Sequence, residues 1–228
     1  MSLTRAVLRS TPIKRTKITG VDLQWKTVSP IADLNLPAFC IVDKVAQDSN
    51  CGLFAIFDGH GGRQVSDHCA ERFPIEIRKE MQKGPSDVCT VLTSVFAKID
   101  NELRLVDSDG CGSTACVALV RKEGAHSVLY VANIGDTRCV LSKSGNAERL
   151  SIDHRCDNPD EVTRIKAQGG IMLDSRVGGV LAVTRAFGDH SLKKSGVSAI
   201  PHVLKYTLKP FDKFMIIASD GVWDELSD

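Results

Sequence analysis

The order of elements predicts an α+β fold, two sheets with helices outside, rather than a doubly wound parallel sheet. Three observations carry this. Continuous apolar runs, Leu53–Phe57 and Phe214–Ala218, read as buried strands. The strong helical patterns come as a pair between positions 64 and 103, and do not alternate with strands. After Gly110 the chain returns to β-rich runs split by short polar turns, which suits antiparallel neighbours.

Element by element, residues 1–35 read as irregular, and 36–43 as a strand. Residues 52–58 form the buried strand that ends in Asp58. Residues 64–81 carry Val65, Cys69, Phe73 and Ile77 at a spacing of four, a helical stripe, with Pro74 arguing for a kink or a break inside it. Gly84-Pro85 punctuates the chain, and Ser86 or Asp87 caps a second helix. Its apolar face is Val88, Val91, Leu92, Val95, Ile99 and Leu103. Strands follow at 114–120 and 127–132, with a charged turn between them, and at 138–142 before a turn at 144–146. Asn158-Pro159 opens a short helix that runs through Ala167 and closes at Gly169-Gly170. A weak strand pair over 177–183 is broken by Gly178-Gly179, and the last strand, 214–218, runs into Ser219-Asp220-Gly221.

The 228 residues suit one substantial domain, and 43% apolar content is enough for a core. A formal net charge of +1 supplies no general pull on nucleic acid or an acidic membrane. The first 21 residues are basic and carry no acid. Three readings compete there: a solvated arm, an organelle presequence, or a nuclear or phosphate-contacting segment. That arm has no run long enough for a membrane span. Localisation is therefore expected to be cytoplasmic or nuclear, with mitochondrial targeting by the arm as the alternative. Eight cysteines show no Cys-x-x-Cys spacing, so they read as reduced thiols packing as small hydrophobes.

The chemistry lies in carboxylates at strand ends. Asp58 and Asp220 each end an apolar strand and precede glycine, and Asp136 follows the strand that ends near Ala132. Each alone reads as a turn. Three together imply a shared cation, because crowded carboxylates repel and take up protons unless something positive joins them. An oxygen donor set with few histidines suits Mg²⁺ or Mn²⁺, and glycine after Asp lets the backbone carbonyl approach an ion. Two such ions hold and activate a water, and phosphoryl hydrolysis is their usual partner chemistry. No Cys-x5-Arg, P-loop or Gly-x-Ser-x-Gly pattern offers another route. The residues alone leave His60 open between a proton donor and a structural histidine. Imidazole titrates near neutrality, which suits donation. Thr114, Thr184 and Trp223 read as packing residues, and Asp189 as a turn or a group supporting the site from behind.

The motifs FDGHGG (57–62), CGSTA (111–115), NIGDTR (133–138), DHRCDNPDEVTRIKAQGG (153–170), LAVTRAFGD (181–189) and ASDGVWD (218–224) together resemble the PPM family. These are the PP2C-type metal-dependent serine/threonine phosphatases. The resemblance covers about residues 50–228. It implies an αββα sandwich of two antiparallel sheets flanked by helices, with phosphorylated proteins as substrates and a binuclear Mn²⁺/Mg²⁺ centre. On this resemblance Asp58 bridges both ions, the Gly59 carbonyl binds one and Asp220 the other. Asp136 and Asp224, with Asp220, assist a weaker third ion, and His60 is the general acid. The segment from 172 to 199 resembles the family's variable flap.

Two features depart from the pattern. The family's Arg-x-x-Met-Glu-Asp-like strand is not evident near Leu34–Leu36, so no phosphate-holding arginine is assigned; Asp33 and Asp48 are the nearby acids. The chain also stops at Asp228, ahead of the family's later Asp-Asn ligand. The expectation is an arm over 1–35 and a truncated phosphatase domain over 36–228. Two functional readings follow: an active metal-dependent phosphatase, or an impaired relative that binds a phosphoprotein or regulatory partner. Oligomeric state is left open.

Overall fold

A computed structural model of the chain describes residues 8–10, 14–18, 21–25, 28–30, 37–48, 50–84, 86–106 and 110–228. In the segment read as an irregular arm, the described stretches form two short antiparallel ladders. β1 (Leu8–Ser10) pairs with β4 (Val28–Pro30), and β2 (Lys14–Ile18) with β3 (Val21–Trp25). The remainder of that arm, Asp33 and Leu34–Leu36 included, lies outside the described residues, as does Pro85.

The centre is a five-stranded sheet. It contains β5 (Ala38–Asp43), β6 (Cys51–Phe57), β9 (Ala115–Glu123), β10 (His126–Ile134) and β16 (His202–Thr207), in the order β16-β10-β9-β6-β5. All its pairings are antiparallel. β6 and β9 are apolar on both faces because both faces are covered. On one side lie α1 (Gln64–Gln82) and α2 (Val88–Glu102). Val65, Cys69, Phe73 and Ile77 of α1, and Leu92, Val95, Phe96 and Ile99 of α2, pack with Leu53, Phe57, Val117, Leu119 and Tyr130 in one cluster. Phe73, Phe96 and Phe187 stand in ring contact there, 5.2 and 5.0 Å between centroids. The other face packs on a second sheet of β11 (Arg138–Lys143), β12 (Asn146–Arg149) and β17 (Asp212–Ala218), in the order β12-β11-β17. Phe54, Cys116, Ala118, Leu129 and Val131 meet Cys139, Leu141, Met215 and Ile217 between the sheets. The outer face of β17 carries Phe214 and Ile216, both exposed.

Most expected elements are found, several of them longer than their patterns indicated. Asp87 caps α2, accepting a hydrogen bond from the Thr90 N–H at 3.0 Å. α3 (Pro159–Ala167) opens on Asn158, whose side chain accepts from Asp160 N–H. Of the kink or break expected at Pro74, the break is not there: α1 runs through it from Gln64 to Gln82. Burial of the Val65–Ile77 stripe outweighs the one backbone hydrogen bond a proline removes. The weak strand pair over 177–183 is instead a hairpin of β13 (Met172–Leu173) and β14 (Arg176–Val177), with an isolated bridge from Val177 to Leu181. All eight cysteines are free and all but Cys89 are buried.

A third, very small sheet joins β7 (Gly59–His60), β8 (Gly112–Ser113) and β15 (Phe187–Gly188), with β8 in the middle. It has only two residues per strand. It ties together three of the sequence motifs at the end of the sandwich where β6 and β10 finish.

Candidate active site

Asp58 follows the last residue of β6, Asp136 lies two residues past β10, and Asp220 opens the short helix α4 (Asp220–Trp223) just after β17. Two sheets therefore deliver three carboxylates to one end. The Asp58 carbonyl accepts from Thr114 N–H (2.9 Å) and from Ser113 Oγ (3.2 Å), so its backbone is pinned by β8 and the residue after it. Trp223 is buried and donates from Nε1 to the Ala218 carbonyl at 2.8 Å, fixing α4 against the end of β17. Trp223 thus packs as the sequence predicted. So do Thr114, bonded to Thr137 Oγ1 at 2.5 Å, and Thr184, bonded to Glu161 at 2.7 Å.

The electrostatics show the convergence. Burial, the charges of Asp220 and Asp136, and a hydrogen bond with Asp220 push the Asp58 carboxyl up to about 6, against a small opposing pull from His60. Asp136 is raised as well, by burial and by Asp220, although Arg155 pulls it down. Arg155 donates from Nε to Asp136 at 3.0 Å and from Nη2 to Asp224 at 2.8 Å, bridging two of the expected ligands of a third ion. His60 Nε2 lies 2.7 Å from Asp189 Oδ2.

Among the described residues no three His, Cys, Asp or Glu side chains form a ready-made metal cage. The donor chemistry nevertheless fits a hard divalent cation. The charges of Asp220 and Asp136 reach Asp58 and raise it, and crowded carboxylates call for a positive partner. A dication supplies that charge through oxygen donors of the type Mg²⁺ and Mn²⁺ prefer.

A cleft of ≈ 390 Å³ opens beside Asp58, lined by Gly59, His60, Gly61, Gly62, Arg63 and Ser66. Gly61 is obligatory: its φ is 71°, and a Cβ there would stand 2.1 Å from the Gly110 carbonyl oxygen. At Gly59 a Cβ would meet Ser66 Oγ at 2.6 Å, whereas Gly221 has room for one, so the tight backbone expected after each Asp holds at the first site and not at the second.

Asp48 is far from this mouth. It precedes β6, and the seven-residue strand puts roughly 23 Å between its ends. β5 pairs Ala38 with Phe57, so beside Asp58 that strand offers an alanine, preceded by Pro37, and no arginine or acid. Among the described residues that line the cleft the cation is Arg63, which also donates to Asp67 Oδ1 at 3.2 Å and which the sequence reading passed over. It directly follows the glycine pair, which is the signal that could have found it. Arg155 and the contact of Asp189 with His60 were also missed, because only the folded chain brings their partners together.

The family model for protein phosphatase 2C matches residues 31–228. The chain belongs to the protein phosphatase 2C family. Among curated proteins it is 40% identical over 182 residues to protein phosphatase 2C homolog 1 of Schizosaccharomyces pombe, covering 78% of this chain and 52% of that one. It is 37% identical over 203 residues to protein phosphatase 2C homolog 1 of Saccharomyces cerevisiae, covering 82% and 71%. The chain spans about half the length of the fission-yeast relatives it matches. Among solved structures, serine-threonine phosphatase 2C from Toxoplasma gondii superposes with a TM-score of 0.64 at 25% identity, covering 78% of this chain and 70% of that one. A C. elegans sex-determining protein superposes at 0.76 with 20% identity, covering 96% and 53%, a likeness of fold alone. The antiparallel α+β fold of the protein phosphatase 2C family is thus the fold of this chain.

Proposed function

We propose that this chain hydrolyses phosphoserine and phosphothreonine in proteins, using Mn²⁺ or Mg²⁺ held by Asp58, the Gly59 carbonyl and Asp220. The observation that carries the reading is the convergence of Asp58, Asp136 and Asp220, which raises Asp58 to about 6. Two such ions, once bound, would supply an activated water as nucleophile and neutralise the carboxylates, and Asp136 and Asp224 would hold a weaker third.

The chain's own residues do the rest. Arg63, on the wall of the cleft, supplies positive charge to a phosphate dianion entering beside Asp58. His60, on the same wall, gives a proton to the departing seryl or threonyl oxygen. The α1 N-terminus begins at Gln64 without a side-chain cap, which leaves its first N–H groups as a further favourable pole for anions. Arg155 holds Asp136 and Asp224 in place through its two hydrogen bonds. A chain whose cysteines read as reduced thiols belongs by default in the cytoplasm or nucleus, with mitochondrial targeting by the basic arm as the alternative.

The test is hydrolysis of a phosphothreonyl peptide and an aryl phosphate with Mn²⁺ and then with chelator, alongside calorimetric Mn²⁺ titration of Asp220→Asn. Metal-dependent turnover, with metal binding weakened in the variant, supports the reading. Phosphopeptide binding without metal-dependent turnover would favour a phosphoprotein-binding role instead.

A further inference from the structure

The third, two-residue-strand sheet makes one contact that the reaction above does not explain. Gly112 pairs with His60 on one side and with Gly188 on the other, so Asp189 arrives directly across from the imidazole. The result is the 2.7 Å contact of His60 Nε2 with Asp189 Oδ2. It fills the space above Gly112: a Cβ there would be 2.1 Å from Asp189 Oδ2 and 2.3 Å from His60 Nε2. Asp189 is 5% exposed and held in a left-handed conformation at φ 46°. Its N–H donates to the Cys111 carbonyl at 3.0 Å, and its carbonyl accepts from Leu192 N–H at 2.9 Å. A non-glycine residue in that conformation is strained, and persists where its surroundings over-determine it.

We propose that Asp189 is the positioning residue of His60: its carboxylate accepts the Nε2–H and turns the ring so that Nδ1 serves the cleft. This rests on the phosphatase reading. A carboxylate behind an imidazole selects one tautomer and one ring orientation. With Nε2–H committed to Asp189, the acid is the doubly protonated ring, which transfers its Nδ1 proton and is left as the neutral Nε2–H tautomer. In hydrolysis, the water oxygen bonds to phosphorus while the bond from phosphorus to the seryl or threonyl oxygen breaks, its electron pair staying on that oxygen. The Nδ1 proton goes to that oxygen. The products are the alcohol and inorganic phosphate, and the proton shed by the attacking water restores Nδ1–H. Throughout, Nε2–H stays on Asp189.

The test uses Asp189→Asn in the full chain. Asparagine keeps the size and tolerates the left-handed backbone. Two substrates are compared at saturating Mn²⁺: a phosphothreonyl peptide, whose alkoxide needs a proton to leave, and p-nitrophenyl phosphate, whose phenolate does not. The expected result is a kcat on the peptide lower by about 10²-fold, with KM within about twofold and aryl turnover within about threefold of wild type. His60→Ala gives the same split, and the double variant falls no further than His60→Ala alone. Equal loss on both substrates overturns the proposal, since a merely structural role affects both. If Asp189→Asn does not fold, Gly112→Ala takes its place, because its new methyl group occupies the position of the contact. A second readout needs no turnover. Imidazole ¹⁵N–¹H correlation spectra of the metal-free protein should show His60 as the Nε2–H tautomer, and as a mixture in Asp189→Asn. A wild-type Nδ1–H tautomer overturns the proposal even in an active enzyme. An intact Nε2–H tautomer with no turnover on either substrate counts against the phosphatase reading and for the pairing.

Discussion

Replacing Asp58 by Asn should make the protein more stable when metal is withheld. The wild-type carboxyl is raised from 3.8 to about 6, by burial first and then by Asp220 and Asp136. At about 1.4 kcal/mol per tenfold change in proton affinity, that corresponds to at most about 3 kcal/mol of desolvation and charge repulsion above pH 6. Asp58 is only part-buried at an open mouth, so solvent screening reduces this to about 1–2 kcal/mol. The sign follows from the raised value. Stability is fully present below about pH 4, where the group is protonated folded and unfolded alike, and is lost as pH rises through 6. In chelator at pH 8, Asp58→Asn should therefore melt about 2–8 °C above wild type, at about 2–4 °C per kcal/mol for a chain of this size. The gap should close toward pH 4. Adding Mn²⁺ should reverse the order, because binding to the folded state stabilises wild type. Thermal denaturation followed by circular dichroism measures all three. A variant no more stable than wild type in chelator, or a gap independent of pH, would refute the crowding argument on which the metal centre rests.

Three further predictions follow from the same geometry. Glu161, 3% exposed, is driven upward by burial but brought down to about 2 by hydrogen bonds from Arg185, Arg164 and Thr184; Glu161→Gln should cost about 2–3 kcal/mol at neutral pH, and in wild type this contribution should fade as pH falls from about 4.5 toward 2, read by urea denaturation against pH. Phe96→Ala removes a fully buried ring that contacts Phe73 and Phe187 and should lower stability by about 3–5 kcal/mol in the same assay. Arg63→Ala should raise KM for a phosphothreonyl peptide about three- to tenfold with kcat little changed, because Arg63 lines the cleft beside Asp58; an unaltered KM removes it from the phosphate's path.

Local pattern made much of this fold legible. The Val88–Leu103 stripe and the Asn158-Pro159 start describe α2 and α3 because their information is confined to one turn of helix and its cap. β16 was passed over: HVLKYT is half polar, and it is a strand because β10 offers it an edge. Pro74 misled in the other direction, since a burial stripe longer than one turn outweighs a single lost hydrogen bond. In the site, Asp58, Asp136 and Asp220 were readable because each ends an apolar run. Arg155 was not, because only the folded chain brings Asp136 and Asp224 to it; Asp189 was read as a turn or a group supporting the site from behind, but its partner, His60, 129 positions away, depends on pairings between β7, β8 and β15 that have no local signature.

Asp58 stands on the helix-covered sheet and Asp220 on its neighbour, so the gap between these acids is set by whatever fills the seam between the two sheets. That filling includes small side chains, Cys116, Ala118 and Cys139. A bulkier residue there, such as leucine at 118, acts as a wedge: it parts the sheets and spreads the acids without touching either. In the proposed metal centre, ion affinity would thus be tied to side-chain volume deep inside the molecule, and variation at buried positions far from the mouth would retune it.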